Sequence, residues 1–222
     1  MPDFRRFAIF DPGPAPLARF GARWFGWDAA GGQSMPALAP DHVVAAPRRY
    51  GFHATIKAPF RLADGRDVQG LMVALRRLAA TLAPVSVPDG LTLTCLGNFV
   101  ALVADPQPPD LTGVAARVVE ALDGFRAPLT PEDRARRRPD GLSVAERHNL
   151  DAWGYPYVMD SFRYHMTLSG PLSPAQAAAL IARLGPMVGA VLPAPHPIDT
   201  LALMGEDAAG RFHVLDRVSL GQ

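Results

Sequence analysis

Two tripeptides, His53-Ala54-Thr55 and His165-Met166-Thr167, carry the side chains in this sequence best suited to moving protons around a phosphorus atom. Imidazole titrates near neutrality, so a histidine can both take and give a proton at physiological pH. With two of them, one can activate the oxygen that attacks a phosphodiester while the other protonates the oxygen that leaves on the opposite side. A threonine hydroxyl beside each imidazole can hold the non-bridging oxygens, where charge builds in the transition state. This wiring needs neither metal nor cofactor.

The duplication is the informative part. With 6 histidines and 8 threonines in 222 residues, independent placement gives about 0.2 His-x-Thr matches. His42, His148, His196 and His213 have no Ser or Thr two positions on. One copy alone reads as a strand histidine bonded to its neighbour. Two copies with matching flanks read as a functional pair.

The flanks alternate as a half-buried strand requires, with successive side chains on opposite faces. In the first copy His53, Thr55 and Lys57 share one face and Phe52, Ala54, Ile56 and Ala58 the other. In the second, Arg163, His165, Thr167 and Ser169 oppose Phe162, Tyr164, Met166 and Leu168. Each strand thus offers an imidazole and a hydroxyl roughly 7 Å apart. Lys57 and Arg163, of the same parity as the histidines, are candidates for binding substrate phosphate, with a peripheral ion pair as the alternative for each. Tyr50 has the parity of the core face and is left out of the site.

The elements that must position these strands are legible from turns and periodicity. Arg5 to Phe10 reads as a strand ended by Asp11-Pro12-Gly13-Pro14, and Leu17, Phe20, Trp24 and Phe25 as a helix closed near Gly31-Gly32. Residues 33 to 49 read as a loop. After the first motif strand come an amphipathic helix through Val68, Leu71, Met72, Leu75 and Leu78, then a hairpin of Leu91–Leu96 and Phe99–Ala104 around Gly97-Asn98. A helix from Asp110 to Phe125, capped by Asp110, completes that half. The second half repeats the order: the motif strand within residues 155 to 170, a helix from Pro174 to Leu184 capped by Ser173, and a hairpin of Ile198–Met204 and Phe212–Leu220. The two histidines lie 112 residues apart, half the chain, as a diverged duplication would leave them. Residues 126–154 interrupt this pattern with Arg134, Arg136, Arg137 and Arg138 and a helix from Ser143 to Trp153. They read either as a solvated basic insertion or as an arginine lid that clamps a phosphorylated substrate.

The expected fold is therefore α+β: two pseudo-symmetric lobes in one domain spanning 1–222, each an antiparallel sheet with helices outside, and a central cleft between the sheets. Composition is that of a globular protein, 49% hydrophobic and 19% charged, and the net charge of +1 gives no global bias toward nucleic acid or membrane. The single cysteine, Cys95, reads as a half-buried structural thiol and supports no intrachain disulfide. No signal-peptide core and no membrane span are apparent, so a cytoplasmic protein is expected. The sequence has no Gly-x-x-x-x-Gly-Lys-Ser/Thr loop, no Gly-x-Gly-x-x-Gly fingerprint and no His-Glu-x-x-His helix. Threonine is not a usual partner of zinc, so no metal ligand set is expected.

The paired motifs resemble those of the two-histidine phosphoesterase superfamily, which includes the RNA 2′,3′-cyclic phosphodiesterases once called RNA ligases. The segments Tyr50-Gly51-Phe52-His53-Ala54-Thr55-Ile56-Lys57-Ala58-Pro59-Phe60 and Tyr164-His165-Met166-Thr167-Leu168-Ser169-Gly170-Pro171-Leu172 are most similar to its phosphonate-metabolism branch. The resemblance implies a cleft holding His53, Thr55, His165 and Thr167 as catalytic residues. It also implies hydrolysis of a cyclic phosphodiester without cofactor, and for the branch a small ribose cyclic phosphate. Residues 126–154 depart from the minimal superfamily pattern. Two alternatives stand beside this expectation: an RNA 2′,3′-cyclic phosphodiesterase or ligase acting on an RNA end, and a phosphoester-binding protein without turnover. The first needs exposed aromatics for base stacking, and no aromatic-rich basic stretch is apparent.

Overall fold

The computed structural model describes residues 3–221. Its strands are β1 (Arg6–Asp11), β2 (Trp27–Asp28), β3 (Gln33–Ser34), β4 (Ala54–Phe60), β5 (Val85–Val87), β6 (Thr92–Leu96), β7 (Phe99–Val103), β8 (His165–Thr167), β9 (His196–Ile198), β10 (Thr200–Glu206) and β11 (Phe212–Ser219). Its helices are α1 (Ala15–Phe25), α2 (Asp41–Val44), α3 (Val68–Ala79), α4 (Pro109–Ala121), α5 (Pro131–Arg136), α6 (Val144–Trp153) and α7 (Pro174–Gly189).

Seven strands form one antiparallel sheet in the order β11-β10-β1-β4-β8-β7-β6, so the fold is α+β as expected. The two halves of the sheet meet edge to edge at β4 and β8. The repeat begins one strand and one helix earlier than the motif strands suggest. Ignoring insertions, the chain runs twice through strand, helix, motif strand, helix, short strand and strand, as β1-α1-β4-α3-β5-β6 and then β7-α4-β8-α7-β9-β10. The last strand of each pass is exchanged: β6 pairs with β7, β10 pairs with β1, and the short strands β5 and β9 pair with each other. Each half-sheet is thus completed by the other pass.

One face of the sheet is covered by helices. Leu17, Trp24 and Phe25 of α1, Leu71 and Leu75 of α3, Leu111 and Val118 of α4, and Leu180 and Leu184 of α7 form one core with Ala54, Ile56, Leu102, Met166 and Leu203 of the sheet. Burial of these apolar side chains is the main favourable term in folding. A smaller cluster of Ala8, Phe10, Ala202, Met204 and Phe212 lies apart from it. Because Ala54 and Met166 belong to the helix-covered face, the residues on either side of them in the two tripeptides belong to the opposite one.

Several local expectations are corrected. Helix α1 stops at Gly26, whose left-handed backbone returns its N–H to Ala22, rather than at Gly31-Gly32, which lie between β2 and β3. Residues 33–49 hold β3, α2 and the start of a single 3₁₀ turn, Pro47–Tyr50, rather than a plain loop. Helix α4 begins at Pro109 after Pro108, so Asp110 lies inside its first turn and is not its cap. Helix α7 passes through Pro186 to Gly189 because Leu184 and Val188 continue its buried stripe. Cys95 is exposed, since β6 is an edge strand of the sheet. Among the described residues no helix is long and apolar enough to cross a membrane.

Candidate active site

The β4–β8 ladder brings the two motifs together. Ala54 lies opposite Met166 in antiparallel register, and that register continued one step each way directs His53, which immediately precedes β4, toward Thr167 and Thr55 toward His165. Directly opposed residues in such a ladder have Cα atoms about 4.5–5.5 Å apart, and the diagonal pair, here the two histidines, about 7–8 Å. By that register the two imidazoles and two hydroxyls lie toward one face; His165 and Thr55 line one cavity, while His53 lines another with Phe10, Ala22 and Trp27.

Both imidazoles are held in the same way. His53 Nδ1 donates to the carbonyl of Gly51 at 3.0 Å, and His165 Nδ1 donates to the carbonyl of Arg163 at 2.8 Å, two residues upstream in each case. A carbonyl only accepts, so in the neutral ring Nδ1 carries the proton and Nε2 is left bare. His53 Nε2 accepts from the Thr55 hydroxyl at 3.1 Å. His165 Nε2 has no protein partner among the described residues, and its ring lines a cavity of about 500 Å³ with Thr55, Phe99, Tyr155, Tyr157 and Arg163.

Gly51 makes the first of these anchors possible. Its φ of 73° and ψ of 178° belong to a region reserved in practice for glycine, and a Cβ there would stand 3.2 Å from Ala29 Cβ. Upstream strand entry is fixed by Phe52, whose ring fills the space a side chain on Gly21 of α1 would need. The His53 ring stacks on Phe10, centroids 3.5 Å apart and 11° from parallel.

Electrostatics keep both rings neutral. Desolvation lowers the His53 pKa to about 4, with the nearby His165 adding to the effect and the Gly51 carbonyl opposing it. His165 is lowered too, chiefly by desolvation and further by Arg163, against the pull of the Arg163 carbonyl. That His165 acts on His53 by charge agrees with the diagonal placement.

The other expected site residues separate. Arg163 is exposed beside His165 in the same cavity, and no carboxylate among the described residues pairs with it. Thr167 lines an adjoining shallow cavity with Arg49, Tyr50 and Phe99. Lys57 does not join the histidines. Ile9 pairs with Lys57 while Phe10 pairs with Thr55, so β4 has a bulge there and the alternation on which the sequence argument relied is broken. Lys57 is 3% exposed and donates to the Val119 carbonyl of α4 at 3.0 Å and to Asp123 at 3.3 Å. Burial nonetheless lowers its pKa to about 8, with Asp123 opposing.

Tyr50 ends a 3₁₀ turn, where strand parity has no meaning; it stacks on Phe212 and lines two cavities. A cavity of about 290 Å³ next to the histidine site shares Ala58, Tyr155 and Val158 with the His165 cavity and Arg49 and Tyr50 with the Thr167 cavity. Residues 126–154 supply part of its wall. Arg136 and Arg137 line it, Arg134 is paired with Asp151, and Arg138 is exposed. Among the described residues no group of three or more His, Cys, Asp or Glu side chains is arranged to hold a metal ion.

Comparison with known proteins adds lineage. The chain is 34% identical over 208 residues to the ribose 1,5-bisphosphate phosphokinase PhnN of Janthinobacterium sp. (strain Marseille), covering 88% of this chain and 46% of the relative. It is also 34% identical over 224 residues to the protein of that name from Laribacter hongkongensis (strain HLHK9), covering 96% and 51%. The chain therefore spans about half the length of the curated relatives it matches. It is similar to the crystal structure of E. coli LigT complexed with phosphate at a TM-score of 0.47 and 13% identity, over 99% of each chain. A family model described as protein of unknown function (DUF1045) matches residues 55–213, nearly the whole span from the first motif threonine into the last strand, and the chain belongs to that family.

Proposed function

We propose that this chain is a phosphoesterase that hydrolyses a cyclic phosphodiester, a small ribose cyclic phosphate of phosphonate catabolism, with His53 and His165 as general base and general acid. The observation that carries the reading is the matched tautomer: two imidazoles, each with Nδ1–H tied to a carbonyl and an unprotonated Nε2, that of His53 accepting from Thr55 and that of His165 without a partner among the described residues. His53, held neutral down to about pH 4, is suited to take the proton of the attacking water. Its Nε2 receives that proton as the water oxygen bonds to phosphorus. The ester bond to the leaving ribose oxygen then breaks, and His165 Nε2 donates to that oxygen. Anionic substrate against His165 raises its pKa and so loads the acid before the reaction. Thr55 turns its hydroxyl from His53 to a non-bridging oxygen, and Thr167 holds another. Arg163 balances the substrate charge at the mouth of the cavity.

The resemblance of the paired motifs to the two-histidine phosphoesterases supports the same chemistry. The relatives' name concerns phosphoryl transfer to ribose 1,5-bisphosphate. This chain has no Gly-x-x-x-x-Gly-Lys-Ser/Thr loop, so that transfer is not assigned to it, but the ribose phosphate context agrees with the proposed substrate.

The test is incubation of the purified protein with a ribose 1,2-cyclic phosphate, a 2′,3′-cyclic nucleotide and an RNA ending in a 2′,3′-cyclic phosphate, followed by phosphorus NMR with and without chelator. Conversion of a small cyclic ester to a monoester, unaffected by chelator, is expected. A strong preference for the RNA end contradicts the substrate assignment, and binding with no turnover of any of them contradicts the enzyme.

A further inference from the structure

The carbonyls that anchor the two imidazoles are fixed in different ways. Gly51 presents its carbonyl to His53 from a positive-φ backbone, whereas the peptide of Arg163 is held by a side chain from a distant segment. That side chain is Gln107, in the loop between β7 and α4. Its Oε1 accepts from the Tyr164 N–H at 2.6 Å, and its Nε2 donates to the Phe162 carbonyl at 3.3 Å and to Thr112 Oγ1 of α4 at 2.7 Å. A backbone N–H only donates and a backbone carbonyl only accepts, so one orientation of the amide satisfies both. The Tyr164 N–H and the Arg163 carbonyl belong to the same planar peptide unit, in which they point in opposite directions. Fixing the N–H therefore aims the carbonyl, which receives His165 Nδ1–H at 2.8 Å. The bond to Phe162 fixes the preceding unit, so one side chain sets the peptide planes on both sides of the Arg163 Cα.

Resting on the reading of His165 as a proton donor, we infer that Gln107 is a positioning residue for this imidazole, holding it in the Nδ1–H tautomer so that the proton it exchanges is the one at Nε2. The bonds run in series, from the Gln107 carbonyl through the Tyr164–Arg163 peptide to His165 Nδ1. Hydrogen bonds in series polarise one another. Gln107 thus makes the Arg163 oxygen a stronger acceptor and the far nitrogen of the ring more basic. Tyr164 is tied down at its other end as well. Its buried hydroxyl donates to Asp11 at 2.7 Å, and Asp11 lies opposite Ala54 of the first motif. The residue immediately before His165 is therefore held to β1 by its ring and to the β7–α4 loop by its amide. To close that loop alone, the bond from Gln107 to Thr112 would suffice; the two bonds to the peptide units around Arg163 serve the histidine.

Nitrogen-15 NMR of the histidine rings at about pH 8, above the ordinary imidazole range, tests this. Gln107→Met keeps the length of the side chain and removes its three bonds. In that variant the His165 nitrogens are expected to shift from the Nδ1–H pattern toward a mixture with Nε2–H, while those of His53 stay in place as an internal reference. Hydrolysis of a 2′,3′-cyclic nucleotide is expected to lose about ten- to a hundredfold in kcat, with KM changed by less than about twofold. Thr112→Val, which removes one of the three bonds, shifts the His165 nitrogens the same way by less and decides the matter should Gln107→Met not fold. An unshifted His165 tautomer in the folded variant overturns the inference, as does an unchanged kcat. Equal displacement of His53 and His165 overturns it too, because a general loosening reaches both rings. If the wild type hydrolyses no cyclic phosphodiester, the catalytic reading fails, and the ring spectra alone decide whether Gln107 orients His165.

Discussion

Ala54 and Met166 face each other across the seam where the two halves of the sheet join, and this pairing sets the two His-x-Thr tripeptides side by side in opposite directions. The hydrogen bond that forms between a motif histidine and a motif threonine is nevertheless the one within a strand, from Thr55 to His53. Neither motif needs a long side chain to reach the shared face, because the backbone ladder alone brings the groups together.

The seam is held by packing on its far side. Met166 is fully buried in the helix-covered core, so Met166→Ala is expected to destabilise the protein by about 2–5 kcal/mol through lost contacts and a residual cavity. Denaturant unfolding measures this, and a loss below 1 kcal/mol, on the order of a surface change, contradicts the packing described.

Gly51 provides the carbonyl that fixes the His53 tautomer. Gly51→Ala places a side chain in a backbone region that costs about 1–3 kcal/mol and against Ala29. A lower Tm together with a reduced kcat is the expected outcome. A variant with unchanged kcat shows that the carbonyl anchor is dispensable.

Stability should rise with pH across the range of the buried histidines. Between about pH 4 and 6.5 the unfolded chain binds protons at His53 and His196 that the folded chain, with both lowered to about 4, does not. Asp11 acts in the opposite sense: burial raises it to about 6, so the folded state keeps a proton that the unfolded carboxyl has lost. Two sites against one, with His165 on the majority side, leave the unfolded state with more bound protons, and stability increases as pH rises. Thermal unfolding at pH 5 and pH 7 should give the higher Tm at pH 7, and Asp11→Asn should steepen the difference. A higher Tm at pH 5 contradicts the burial of these rings.

The ring stacked on His53 is part of the surroundings that bury it, and burial is the main cause of its low pKa. Replacing Phe10 by Leu removes the face-to-face contact and admits water, so the imidazole should titrate closer to 6.5. An NMR titration of the ring protons reads this directly, and an unmoved midpoint shows that burial elsewhere sets the value.

The approach of the two motif segments was legible in the sequence because strand alternation converts order directly into facing, and two short strands preserved that relation through His165, Thr167 and Thr55. Lys57 was not legible, since a bulge one residue past Ile56 turns a side chain over without any mark in composition. Tyr50 escaped for a related reason, its segment being a 3₁₀ turn where a strand was assumed. The exchange of β6 and β10 depends on pairings between distant segments, which local periodicity does not encode. The arginine cavity was half visible: Arg136 and Arg137 stand out in a basic run, but Arg49 and the two tyrosines join them only through the fold.

The most direct test of the account is the rate of cyclic phosphodiester hydrolysis by His53→Ala and His165→Ala, each assayed with its folding verified by circular dichroism. Each is predicted to lose about 10²- to 10⁴-fold in kcat, because one imidazole cannot serve both sides of the phosphorus. Wild-type rates in either variant would contradict the paired-histidine mechanism.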